Sequence, residues 1–139
     1  MADPSAVTHE ELVTNVRYGY WYNHLCERFY GRLDLCLNLV QLVGGSAAAL
    51  ALLKDSPTTS GVSGVALAIA AAVSLLVQPA IKAERHRRAK CDFLALDAIA
   101  VTLDPIVLAQ RIADTRREAP LGIEALAIPA VNATVRAIG

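Results

Sequence analysis

Asp34, Asn38, Gln41 and Gly45 recur at i, i+4, i+7 and i+11 within RLDLCLNLVQLVGG, a spacing that sets them on one stripe of a helix. Apart from the leading Asp34, the surrounding run 35–53, LCLNLVQLVGGSAAALALL, carries no charge. A carboxylate and two amides in such a setting have two uses. They can hydrogen-bond to a neighbouring helix, or they can line a water-filled path built from several copies of the chain. A second uncharged run, GVSGVALAIAAAVSLLVQPAI at 61–81, supplies matching partners. Gly64, Ala68, Ala71, Ser74 and Gln78 gather on one side of that helix, and Val62, Val65, Ile69, Val73 and Leu76 on another. The small and polar side is expected to pack against protein, the bulky side to face lipid.

Other chemistry finds no footing. The chain has no P-loop, GxGxxG, HExxH, GxSxG or zinc-ligand spacing, and Gly44-Gly45 lies inside an apolar helix rather than after a strand. Glu10 and Glu11 are helix-capping residues, not an acid/base pair. The three cysteines, Cys26, Cys36 and Cys91, form no metal spacing and are expected to be reduced. No catalytic, cofactor-binding or metal site is expected, and the chain is not expected to be an enzyme. The net charge of zero over 139 residues gives no indication of nucleic acid as a partner.

What must position the stripe is a pair of membrane helices. Hydrophobic residues make up 55% of the chain, charged ones 19%, and mean hydropathy is +0.42, all displaced toward apolar relative to a soluble domain. About 20 helical residues cross a hydrocarbon core. Residues 33–53 and 61–81 are therefore expected to be transmembrane helices, joined by a short periplasmic connector at 54–60, KDSPTTS. Charge orients the hairpin. Arg28 and Arg32 precede the first span, and Lys82, Arg85, Arg87, Arg88 and Lys90 follow the second, so both termini are expected in the cytoplasm. Six of the seven aromatic residues, Tyr18, Tyr20, Trp21, Tyr22, Phe29 and Tyr30, fall just before the first span, where rings favour the headgroup level. The N-terminus lacks the basic and apolar regions of a cleavable signal.

The remaining segments are expected to be cytoplasmic helices. An N-terminal interfacial helix over 8–32 starts with the T-H-E-E capping box and displays Arg17, Trp21, His24, Arg28 and Arg32 on one face. His24 and His86 are expected to belong to these basic surfaces. Residues 82–118 form a basic helix and then an amphipathic one, with Asp104-Pro105 starting a further helix that ends at Pro120. The segment 119–139, with Pro129 as a breaker, is either an interaction segment or a frayed tail.

The fold class expected is all-α, a membrane helical hairpin with N- and C-terminal cytoplasmic helices. Its order of parts, with R-x-x-x-W-x-x-H at Arg17, Trp21 and His24, then RLDLCLNLVQLVGG, a second span, His86 and FLALD, resembles the SLATT families of bacterial two-transmembrane effector domains over residues 12–105. The resemblance implies a membrane-disrupting or pore-forming component of a conflict system. The expectation is thus an oligomeric inner-membrane protein of a bacterium or prophage, whose partners are the lipid bilayer, further copies of itself and a cytoplasmic protein. A phage holin-like lysis protein is one alternative. Another is a non-pore helical subunit that anchors a partner or belongs to a larger particle.

Overall fold

Thr8 and Glu11 open the first helix reciprocally: the Thr8 N–H donates to Glu11 Oε2 at 2.8 Å and the Glu11 N–H to Thr8 Oγ1 at 3.3 Å. From there the computed structural model, which describes residues 8–53 and 57–138, continues unbroken through α1, His9–Leu53. The interfacial segment and the first apolar run are one helix, because no proline or cap lies between them. Then follow α2 (Pro57–Val77), α3 (Pro79–Ala100), α4 (Pro105–Glu118), a 3-10 turn (Glu124–Leu126) and α5 (Ala127–Ile138). The described residues contain no strand. Of the expected connector, 54–56 lie outside the described residues.

Proline sets three of the helix starts, where its missing N–H costs no hydrogen bond. Asp104 caps α4 by accepting from the Ile106 N–H at 2.9 Å. Pro79 also explains a departure from the expected 61–81 helix. Its ring has no N–H and clashes with the carbonyl four residues back, so α2 stops at Val77. Gln78 turns into the left-handed region, φ 48°, and α3 starts afresh. Pro129, expected to break the tail, lies in the first turn of α5 and breaks nothing, since that turn needs no intrahelical donors.

The chain divides into two units, one formed by Met1–Arg28 with Lys82–Gly139, the other by Phe29–Ile81. The first has a hydrophobic core. Leu12 and Val16 of α1, Phe93, Leu96 and Ala100 of α3, and Leu108 and Ile112 of α4 form one buried cluster, with Val13, Tyr20 and Leu103 against it. Gly19 makes the α1 to α3 approach possible: a Cβ there would lie 2.5 Å from Phe93 Cε1. Phe93 is 1% exposed, so its ring has nowhere to retreat. In α5, Ala130 and Thr134 are buried, and the Thr134 hydroxyl is satisfied by the Ala130 carbonyl at 2.9 Å. The second unit contains the two apolar stretches, described below.

Gly19→Ala should lower stability by about 1–3 kcal/mol through overpacking. Gly31→Ala, at an exposed α1 position with nothing within 4 Å, should instead raise it by roughly 0.5–1 kcal/mol. Thermal unfolding of both variants in the same detergent or buffer checks the pair, and equal shifts would refute the close approach.

Candidate functional site

In the Phe29–Ile81 unit, α1 and α2 touch through small and polar residues. Gln41 Nε2 donates to Ser74 Oγ at 3.2 Å, and Gly44 lies so close that a Cβ would be 3.2 Å from Leu67 Cγ and 4.0 Å from the Ser63 carbonyl. The contacting numbers run in opposite order along the two helices. Half-buried or buried positions trace the seam: Tyr30, Asp34, Leu37, Gln41, Gly44 and Ala48 on α1, and Ser63, Leu67, Ala70, Ser74 and Val77 on α2. Spacings of three and four residues keep each set on one face.

The expected stripes meet this seam only in part. Gln41 and Ser74 are brought together. Asp34 is half-buried and accepts from Asn38 Nδ2 at 3.1 Å, whereas Asn38 itself is exposed. Gly45 is half-buried with nothing within 4 Å of a Cβ. Gly64, Ala68 and Ala71 lie on the exposed side of α2, and Gln78 is exposed at the helix break. The contacting face of α2 is displaced by about one residue, to Ser63, Leu67 and Ala70, because a leucine fills the space that Gly44 leaves. That complementarity of one glycine and one leucine across two helices is not visible in either helix alone.

Outward from the seam the surface is aliphatic. Leu35, Leu39, Leu42, Val43 and Leu50 of α1 and Val62, Val65, Ile69, Leu75 and Leu76 of α2 are each 49–84% exposed. Two stretches, His9–Leu50 and Gly61–Ala100, the latter running from α2 into α3, contain segments long and apolar enough to cross a membrane, and of those most apolar segments 0% and 11% respectively is buried. A core helix of a soluble protein of this length would be mostly covered.

In the other unit the basic collar is largely paired. Arg17 Nε lies 3.3 Å from Asp97 Oδ1, Lys90 Nζ 2.5 Å from Glu27 Oε2, and Arg87 and Arg88 both bind Glu84, at 2.8 and 3.0 Å. The two guanidiniums hold the Glu84 carboxyl below its ordinary range. Arg28 and Arg85 are exposed and engage in no ion pair among the described residues; Lys82 is half-buried. Arg32, in the helix-pair unit, is likewise exposed and outside any such pair. The aromatic residues divide. Trp21 packs edge-on to Tyr20 and His24, Tyr18 stacks on Tyr22, Tyr20 lies against the core, and Phe29 is exposed.

His86 departs from the expected basic surface. It is 0% exposed, and its Nδ1 lies 2.8 Å from Oδ1 of Asn23, itself 3% exposed. Asn23 Nδ2 donates to the Gly19 carbonyl at 2.8 Å, so Oδ1 is the acceptor and His86 Nδ1 carries a proton. Burial, more than the Lys82 charge, holds the His86 pKa below its ordinary value, with Glu27 pulling the other way. His24 is lowered similarly, first by burial, then by Lys90, with Arg28 adding to it and Glu27 opposing.

A third feature, unmarked in the sequence, secures the C-terminal segment. The Cys26 thiol is fully buried, and burial pushes its pKa up against hydrogen bonds from the Ile123 backbone and Tyr22. Gly122 passes so close to the Tyr22 hydroxyl and ring that no Cβ fits without displacing them. No cluster of His, Cys, Asp or Glu that could hold a metal occurs among the described residues. No protein family, curated protein or solved structure matches the chain.

Both imidazoles are held below 6.5, so between their folded values and 6.5 the unfolded chain binds protons that the folded one does not. Stability is therefore complete above about pH 6.5 and falls as pH drops below it. Unfolding midpoints measured between pH 7.5 and 5 should decline, and His24→Asn with His86→Asn should flatten the decline.

Proposed function

We propose that the chain is an oligomeric inner-membrane protein of a bacterium or prophage, in which the two apolar helices span the bilayer as an antiparallel hairpin with both termini cytoplasmic. On this reading the assembled spans perturb or permeate the membrane as the non-enzymatic effector of a conflict system. The observation that carries it is the outward aliphatic surface of α1 and α2. Burying an aliphatic side chain fully is worth about 1.5–3 kcal/mol, so ten of them, each 49–84% exposed, represent on the order of 10–20 kcal/mol that hydrocarbon would recover. No charged residue interrupts that surface between Leu35 and Leu50 or between Gly61 and Ile81.

Two features support several copies acting together. The Asp34 and Asn38 pair lies beside Leu35 and Leu39, and polar groups at such a site need water or a second chain. Gly64, Ala68 and Ala71 form an exposed small face, on which another helix can approach closely. Two spans cannot enclose a channel, so permeation requires assembly. The resemblance to SLATT effectors in helix order supplies the functional class. A specific observation favours a second reading, a membrane anchor without a pore: Gln41 is already satisfied by Ser74 inside the pair. A holin-like lysis role shares the same topology and differs in requiring lysis when co-expressed with an endolysin.

Cell fractionation should place the chain in washed membranes, and recovery from the aqueous supernatant without surfactant would overturn the proposal. With Cys36→Ser, a membrane-impermeant thiol reagent applied from the periplasm should leave exposed Cys91 unlabelled and modify Thr58→Cys. In reconstituted vesicles, Asp34→Leu with Asn38→Leu should abolish ion leakage while assembly persists. Undiminished leakage would remove the pore-lining role and favour the anchor.

A further inference from the structure

α5 is ordered opposite to an amphipathic helix in water. Its buried residues are the small ones, Ala130 and Thr134, while Ile128, Val131 and Val135 are 74%, 49% and 64% exposed. The exposed three follow i, i+3, i+7 and form a single outward stripe, and Arg136 lies at its edge. Arg136 has no ion-pair partner among the described residues.

We propose that this stripe docks into the groove between α3 and α4 of a second copy of the chain. The groove encloses about 600 Å³, with Leu96, Ile99 and Val107 along its apolar floor. Asp92, Asp114 and Glu118 form its rim against a single cation, Arg111. None of the three carboxylates enters an ion pair among the described residues, so the rim offers net negative charge to Arg136. The lengths agree: the stripe from Ile128 to Val135 spans eight residues of α5, a rise of about 10 Å, and the α3 wall from Asp92 to Ile99 spans the same. This is helix-in-groove recognition read by i, i+3, i+7 anchors.

The α5 that enters the groove belongs to a second copy, because a chain's own α5 lies on the other side of α3. Leu94 and Asp97 line a separate recess with Ala137 of α5 and Arg17 and Tyr20 of α1. At 100° per residue, those two α3 positions project opposite to the groove set of Asp92, Ala95, Leu96 and Ile99. Each copy therefore presents two different surfaces, and the contact is head to tail. Such contacts close into rings when the rotation permits. The inference deepens the oligomer proposed above and rests on that reading only for the shared orientation of the copies.

The test uses the full chain with Cys36→Ser and Cys91→Ser. One tagged copy carries Val131→Cys and a second, with a tag of different length, carries Val107→Cys. Both positions are exposed, and retained helicity by circular dichroism confirms folding. Mild oxidation of membranes holding both copies should yield a mixed-tag disulfide dimer, and neither copy alone should cross-link. A chain with both substitutions should form a ladder of higher multimers. Arg136→Glu should reduce cross-linking at least tenfold, and Asp114→Arg with Glu118→Arg in the groove copy should restore it. Absence of the mixed dimer, or self-dimers of Val131→Cys, would overturn the groove assignment. Fractionation of the same cells reports separately: membrane residence without the mixed dimer sinks the docking alone, and the mixed dimer in an aqueous chain sinks the membrane reading alone.

Discussion

The absence of a side chain at Gly19 fixes how near α1 and α3 can come, and the rest of their unit follows from that distance. With the Phe93 ring against bare backbone, the helices close around an interior in which any polar group must find its partner in protein. Asn23 and His86 do so one turn along, with the Gly19 carbonyl as the third member. Arg17 with Asp97 and Glu27 with Lys90 extend the same seam toward solvent, where ion pairs contribute less. α4 completes the cover through Leu108 and Ile112. A buried histidine fits this geometry, since Asn23 Oδ1 accepts from the imidazole Nδ1 and so assigns its proton.

The pairing also changes what the basic collar can do. Lys90 and Arg17 are committed to carboxylates, and on the proposed reading Arg28, Arg32 and Arg85 are the exposed guanidiniums open to headgroup phosphates. Arg87 and Arg88 are 61% and 76% exposed beside a shared Glu84, a surface arrangement whose net stabilisation is small. An anionic surface could exchange for Glu84 at little cost. The collar is thus a graded set, with its outermost members held least firmly.

Helix order was legible in the sequence because periodicity, capping and proline carry it: Thr8 with Glu11 and Asp104 with Pro105 mark their helix starts where the structure has them. Pro79 carried a signal too, but the charge-free length around it outweighs one residue in a hydropathy reading, and the break at Gln78 depends on that one residue. Partnerships at long separation were not legible. Asn23 and His86 are 63 residues apart, and His86 sits among five basic residues that make a surface the natural inference. The α2 seam illustrates the same limit at finer scale. Small residues occur on two sides of that helix, and only the knowledge that Leu67 enters the space above Gly44 selects Ser63, Leu67 and Ala70 over Gly64, Ala68 and Ala71.

α2 and α5 share an inversion of the ordering that water imposes. Both present branched aliphatics outward, Val62, Val65, Ile69, Leu75 and Leu76 on α2 and Ile128, Val131 and Val135 on α5, while Ala70 and Ser74 of α2, beside Leu67, and Ala130 and Thr134 of α5 face their own chain. Length separates what each requires. α2, with 21 residues, is about 31 Å long and matches a hydrocarbon core of ~30 Å, so lipid can cover it end to end. α5, with 12 residues, is about 18 Å long, and Arg136 stands at the edge of its outward stripe. A helix that short cannot span, and its cation calls for a carboxylate close by. Its natural cover is protein with an acidic rim, which the α3 and α4 groove has. The same inside-out patterning thus leads to two different surroundings, and the distinction rests on helix length and one charge.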